Sequence, residues 1–383
     1  MNNSSLTQAL YDEFYFDEES EYDDFMLGIM NYFPIDKIDI RSGTYDPYLY
    51  DLQKTVADNY KNGNYQVSFF YSHLIFMSYV YYCVEKAYQL YPERMRDIYY
   101  PMNIYNGKKD KPDIDNYASV YDFSKFPEKE IFKVFHIIGM DDDTIKRLSK
   151  YISDRDDFAH ATGKGNISDE TLAGDIKTIY ANLSALHNSF CVVLRQQYIE
   201  LLLENYNEPY INALTAISEF IMDNSLSIED LYFLCNLGIS GIRNENEEFK
   251  NNYRFIKKIH CAFIDYCIEI YGIDEPEGFS TLKDWSYLCF KYEDNGKEFI
   301  NQELGISEYS CAKDGGEFPL YECIECNKEQ LVYDAEAEKF HCFHCGTDFT
   351  TSDVAFCSEC GEIMRNNESC ICDGCFELKM AKD

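Results

Sequence analysis

Apolar residues recur every three to four positions through most of the chain and then stop near its end. Between residues 65 and 91, Phe69, Phe70, His73, Leu74, Phe76, Met77, Val80 and Val84 leave little polar face, which predicts a long and mostly buried helix. A polar loop over roughly 103–127 carries Lys108, Lys109 and Lys111. Residues 128–140 read as a short helix, after which Asp141 to Asp143 cap another that contains Ile145, Leu148 and Ile152. Gly163 and Gly165 end that helix, and Ser168, Asp169 and Glu170 open a further one to about Tyr206. The same period returns over 209–226, 228–237, 245–271 and 282–292. Helices joined by short connections imply an antiparallel bundle, and no repeat of 20–50 residues is present. The pattern gives four regions: an acidic, aromatic segment 1–60 in which Pro34 and Pro47 interrupt any long helix, a helical bundle 61–206, a second helical region 207–308, and a tail 309–383.

In the tail the texture changes to glycine, polar residues and cysteine. Of the 16 cysteines, Cys83, Cys191, Cys235, Cys261, Cys267 and Cys289 sit in apolar surroundings and read as buried thiols. The other ten begin at Cys311, and eight of them form four C-x-x-C pairs. A reducing compartment with metal sites accounts for both groups better than disulfides do. Cys323 and Cys326 are separated by 15 residues from Cys342 and Cys345, and each pair offers two thiolates from one turn to a tetrahedral Zn²⁺. Leu331, Val332, Tyr333, Lys339 and Phe340 in the spacer predict a hairpin, so this half reads as a zinc ribbon. Cys357, Cys360, Cys372 and Cys375 make a second, tighter set, with Cys370 an alternative to Cys372. His341 and His344 read as bystanders because four thiolates complete the first site. Closed sites of this kind are structural and leave no coordination position open for water. The fold class expected is therefore mainly α, with a helical bundle, an additional helical region and a small β-rich double zinc ribbon holding two Zn²⁺.

Net charge is −34, from 68 Asp and Glu against 34 Lys and Arg, which argues against non-specific nucleic-acid binding over the whole surface. The first 36 residues hold nine carboxylates and no Lys or Arg, whereas Lys146, Arg147, Lys150, Arg155 and Lys164 outnumber Asp154, Asp156 and Asp157. A local positive patch on an acidic body and a solvated helix face of mixed charge both fit that balance. From Cys311 onward, 16 carboxylates face six Lys and Arg, which favours a protein contact for the ribbons. The uncharged stretch 62–84 is long enough for a bilayer, but Gln66, Ser68, Ser72, His73, Ser78 and its tyrosines favour a buried soluble helix. No membrane partner is expected, and the expected location is cytoplasmic.

The stretch SDRDDFAHATGKG, residues 153–165, places Arg155, Asp156 and His160 where two helices meet. On a helix Asp156 and His160 share a face, so the carboxylate can hold the imidazole, while the glycines allow close approach of a ligand or second chain. The bland alternative is a helix C-terminus whose dipole His160 and Lys164 complement. Arg254 and His260, one residue further apart, also fit a loose R-x4-to-6-H pattern, but they sit inside an amphipathic helix with nothing catalytic around them and read as structural. RDDFAH between two helices of an apolar bundle resembles the R-polar-x-x-x-H signature of the HEPN superfamily, over residues 61–206. The resemblance implies an all-helical bundle that is either a metal-independent endoribonuclease of toxin or antiviral systems or a non-catalytic binding module. It also implies a homodimer that pairs two motifs, and RNA as substrate. Under it, His160 exchanges a proton with the 2′-OH or the leaving 5′-oxygen, Arg155 stabilises charge on the phosphate, and Asp156 orients His160 or a water. The rival classes are a bundle without catalysis that recruits protein or nucleic-acid partners through its ribbons, and an acidic inhibitor that mimics nucleic acid. No phosphate-binding loop, dinucleotide fingerprint or serine elbow occurs.

Overall fold

The computed structural model describes residues 6–14, 21–43, 45–99, 114–159, 167–282, 287, 290–291, 321–326, 329–334, 339–342, 345–358 and 363–366. Along the chain the helices are α1 (Leu6–Phe14), α2 (Glu21–Met30), α3 (Ile35–Ile38), α4 (Pro47–Lys61), α5 (Tyr65–Leu90), α6 (Pro92–Tyr99) and α7 (Glu128–Ile131). They continue with α8 (Asp142–Ala159), α9 (Asp169–Asn205), α10 (Tyr210–Asp223), α11 (Ile228–Cys235), α12 (Ile239–Glu245), α13 (Glu247–Tyr271) and α14 (Phe279–Leu282). Two compact units divide the chain: Met1–Asn205 with Leu214–Glu248 and Phe263–Pro276, and Tyr206–Ala213 with Phe249–Ala262 and Glu277–Asp383.

The first unit is a helical bundle built around α5, which packs against α4, α9, α6 and the 3₁₀ segments Val120–Lys125 and Phe132–Ile138. This helix is long and apolar enough to cross a membrane, yet 78% of its most apolar window is buried inside the protein. Several of its polar groups find protein partners. Ser68 Oγ donates to Val56 O at 3.1 Å, and Tyr82 and Tyr121 each donate to Asp46 Oδ2 at 2.7 Å. The other Asp46 oxygen accepts from Tyr48 N and Leu49 N, capping α4 just ahead of Pro47. One carboxylate thus starts α4 and fastens two tyrosines of the core. Phe76, fully buried, lies between Phe132 and Tyr151 with ring centroids 6.3 and 5.2 Å away. Phe76→Ala is expected to cost about 3–5 kcal/mol, read from the shift of the denaturation midpoint.

Residues 128–140 depart from the single helix expected. After α7 the chain tightens into a 3₁₀ helix from Phe132 to Ile138, and Gly139 closes it at φ +83°. The reason lies in the spacing: Ile131, Val134 and Ile137, with Phe132 and Phe135, are all buried and repeat every three residues. Three residues per turn brings both rows to the core, where 3.6 would rotate one away. Asp141 caps α8 through Asp143 N and Thr144 N, and Ser168 Oγ accepts from Thr171 N at the start of α9. The short α12 has no counterpart in the sequence reading, because Ile239 and Ile242 are its only fully buried apolar pair and too few to set a period.

In the second unit lies a small β region. Strands β1 (Tyr321–Glu322), β2 (Glu329–Asp334), β3 (Lys339–Cys342) and β4 (Asp348–Thr350) form an antiparallel sheet in sequential order. A second, two-stranded sheet joins β5 (Val354–Phe356) to β6 (Ile363–Arg365). Leu331, Phe340, Phe349, Val354 and Ile363 bury a core around Cys323 and Cys342. The expected β2–β3 hairpin is present, with Leu331 opposite Cys342 and Asp334 opposite Lys339.

Candidate functional site

Arg155 sits in the last two turns of α8, where its guanidinium Nη2 donates to Glu128 Oε2 at 2.5 Å. Glu128 is the first residue of α7, and the same oxygen lies 3.6 Å from Nε2 of His73, a residue of α5 that is only 2% exposed. The nearby His73 imidazole and the Arg155 guanidinium hold the Glu128 carboxyl below its ordinary pKa despite burial. Three helices therefore converge on the arginine and fix its position. His160 lies outside the described residues, and at Asp156 only the backbone is described. Whether the histidine and Asp156 meet Arg155 is thus not part of this geometry.

On α8, Tyr151 lies one turn before Arg155. Its hydroxyl donates to Asp175 Oδ2 of α9 at 3.4 Å, and burial pushes the Asp175 carboxyl up to about 7. Beside this pair a groove of about 360 Å³ runs between α8 and α9, with Arg147, Lys150 and Lys177 among its lining residues. Among the described residues Asp154 is the one carboxylate in the lining, 3.5 Å from Lys150 Nζ. Of the α8 cations in the patch expected from the sequence, Arg147 and Lys150 line this groove, whereas Lys146 and Arg155 are outside its lining. The second match to the arginine–histidine spacing is different in kind: His260 is 1% exposed inside α13, and burial lowers its pKa to about 4, leaving it neutral.

Sequence reasoning missed a second cluster in the helical unit. His187 on α9 places Nε2 3.1 Å from Asp230 Oδ1 of α11, and Lys86 Nζ of α5 lies 3.5 Å from Asp230 Oδ2. Asp230 is aimed by a capping box: its Oδ2 accepts from Ser227 N, and its own N–H donates to Ser227 Oγ, both at 3.0 Å. Nothing in the sequence tied Asp230 to a histidine 43 residues away. Burial alone would lower the His187 pKa, yet the hydrogen bonds to Asp230 and Cys191 and the Asp230 charge lift it to about 10. For Asp230, burial is likewise outweighed, by Lys86, His187 and the Ser227 N–H, and its pKa falls below the carboxylate range.

These shifts set a pH dependence. The His187 contribution is complete below 6.5, its ordinary value, and is lost as pH rises through about 10. The Asp230 contribution is complete above 3.8 and is lost as pH falls below it. Stability is therefore expected to decline between pH 7 and 10. Asp230→Asn should flatten that slope and cost about 3–5 kcal/mol, because it leaves two cations without their buried counter-charge. Urea denaturation across the pH range measures both effects.

In the β region the side chains of Cys323, Cys326, Cys342 and Cys345 bring their sulfurs within 4.8 Å of one another. Cys323 to Cys345 and Cys326 to Cys342 are 3.6 Å apart, too far for a disulfide and close to the about 3.8 Å that a tetrahedron with 2.3 Å metal–sulfur bonds requires. The second pair forms a tight turn: Cys345 N donates to Cys342 Sγ at 3.4 Å, Gly346 N to Cys342 O at 2.7 Å, and Gly346 takes φ +72°. This is a four-cysteine cluster able to hold a metal ion. His341 stands apart from it, its Nδ1 2.5 Å from Asp348 Oδ1. Of the second cysteine set only Cys357 is described, and it is buried; Cys360, Cys372 and Cys375, with the alternative Cys370, lie outside the described residues.

Comparisons of the chain with protein-family models, with curated proteins and with solved structures find no match. The chain is a mainly helical bundle with a small C-terminal β region whose cysteine cluster can bind metal.

Proposed function

We propose that the chain is a HEPN-type endoribonuclease, a cytoplasmic toxin or anti-phage effector that cleaves RNA without a metal and is held together at its C-terminus by two structural Zn²⁺. One arrangement carries the reading. The groove that presents Arg147, Lys150 and Lys177 lies beside Tyr151, one turn ahead of Arg155, and Asp156 and His160 follow directly in the chain. Such a groove supplies an RNA backbone with local positive charge on an otherwise acidic body. Arg155, permanently cationic, stabilises the charge that builds on the scissile phosphate. His160 takes the 2′-OH proton or returns one to the leaving 5′-oxygen, with Asp156 orienting it, and the products are a 2′,3′-cyclic phosphate and a 5′-hydroxyl. A single histidine serves poorly as both base and acid, which favours a homodimer that brings two motifs together.

A second reading, a bundle without catalysis that binds protein or nucleic acid through its cysteine-rich tail, is favoured by the Arg155–Glu128 contact, which gives the arginine a carboxylate in place of a phosphate. Expression in cells separates the two. Wild type is expected to arrest growth and fragment RNA, and His160→Ala to do neither; identical growth and intact RNA with both proteins leaves the binding module.

A further inference from the structure

A cavity of about 270 Å³ opens beside Lys86, walled by Tyr32 from the turn after α2, by Tyr79 and Tyr82 of α5, and by Phe190 and His187 of α9. Its size is just below the roughly 300–1,000 Å³ usual for small-molecule sites, so its occupant is a small monomer and not a polymer strand. Exposed Gln89 lies at its rim, and the buried Asp230 forms part of the lining.

Two basic side chains share one buried carboxylate at its wall. Lys86 and protonated His187 both converge on the one carboxylate of Asp230, at 3.5 and 3.1 Å. Lys37, the third cation of the lining, has its own counter-charge in Asp36 at 2.6 Å. Burial raises the pKa values of the nearby carboxyls Glu85 and Glu229 above the ordinary carboxylate value. Tyr32 and Tyr79 stay neutral, since burial raises their pKa values. Lys86 shares the Asp230 carboxylate with His187, its side chain is 21% exposed, and its Nζ stands 5.7 Å from the Phe190 ring centroid.

We propose that this cavity binds a small aromatic carboxylate, its anionic group on Lys86 and its ring against Tyr32, Tyr79 and Phe190. A carboxylate seated there gives Lys86 a second counter-charge, whereas a phosphate dianion would bring more negative charge up against Asp230. Rings packing edge to face with the aromatic wall supply the apolar half of the affinity. The proposal stands apart from the ribonuclease reading, because neither Arg155 nor His160 takes part.

The test uses the full His160→Ala chain, so RNA cleavage has no bearing on it. Thermal shift and calorimetry are run with benzoate, 3-phenylpropanoate and indole-3-acetate, and with the neutral amide of each. At least one acid should raise the melting temperature saturably with a Kd below about 1 mM, and its amide should bind at least about tenfold more weakly. Lys86→Gln should weaken the acid by a similar factor. Gln89→Trp, at an exposed rim position, should block binding without changing the melting temperature of the free protein, which keeps the test valid if Lys86→Gln misfolds. The proposal fails if no acid binds, if the amides bind equally well, if AMP or inorganic phosphate binds more tightly than every acid, or if binding survives Gln89→Trp.

Discussion

Alanine at His160 is expected to lower the rate of cleavage of a short RNA by about 10²–10⁴-fold, the usual contribution of a positioned general acid or base. The melting temperature should not move, because this account gives the imidazole a part in the chemistry and none in the fold. Arg155→Ala should cost about 10²–10³-fold through lost stabilisation of the phosphate charge. That variant also strips Glu128 of its cation, so Arg155→Lys belongs beside it: it keeps the charge on Glu128 but loses the forked geometry on phosphate. If Arg155→Lys cleaves like wild type, the arginine serves the α7–α8 contact and not the chemistry.

The other large effect falls on the tail. Cys342→Ser is expected to lower the metal content by one ion per chain and to unfold the four-stranded sheet, while the helical far-UV signal persists. The size follows from the binding energy of a structural zinc, about 10–16 kcal/mol at neutral pH, against a core of only a few apolar side chains such as Leu331, Phe340 and Phe349. Metal analysis with limited proteolysis reads both. Cys342 is the informative position because it is a member of the cluster, pairs with Leu331 in the sheet, and accepts the N–H of Cys345. An unchanged metal content would mean that the four thiolates are not the ligands.

Long periodic elements were legible in the sequence because one face repeats over many turns. The helix expected over 65–91 is α5, Tyr65–Leu90, and the one opened by Ser168 is α9, Asp169–Asn205. The hairpin between the cysteine pairs was legible for a related reason: two C-x-x-C turns fix both ends of a short spacer. Three-residue spacing hid the 3₁₀ turn after α7, since Phe132, Val134, Phe135 and Ile137 also look like a dense helical face. The contacts that define the candidate sites were invisible because they join distant segments. Nothing in the sequence ties Glu128 to Arg155, 27 residues on, or marks His187, on the long helix α9, as the partner of Asp230. Those pairings come from how α5, α7, α8, α9 and α11 pack, which periodicity alone does not set.

The most direct measurement is cleavage of a short RNA by the purified chain, compared with the same RNA carrying a single 2′-deoxy sugar at the scissile position. The account predicts cleavage of the first to a 2′,3′-cyclic phosphate and a 5′-hydroxyl, with no need for added Mg²⁺ and with a rate that falls as salt is raised. It predicts that the 2′-deoxy position resists, because the attacking oxygen is gone. Cleavage at the 2′-deoxy position, or strict dependence on Mg²⁺, would contradict it.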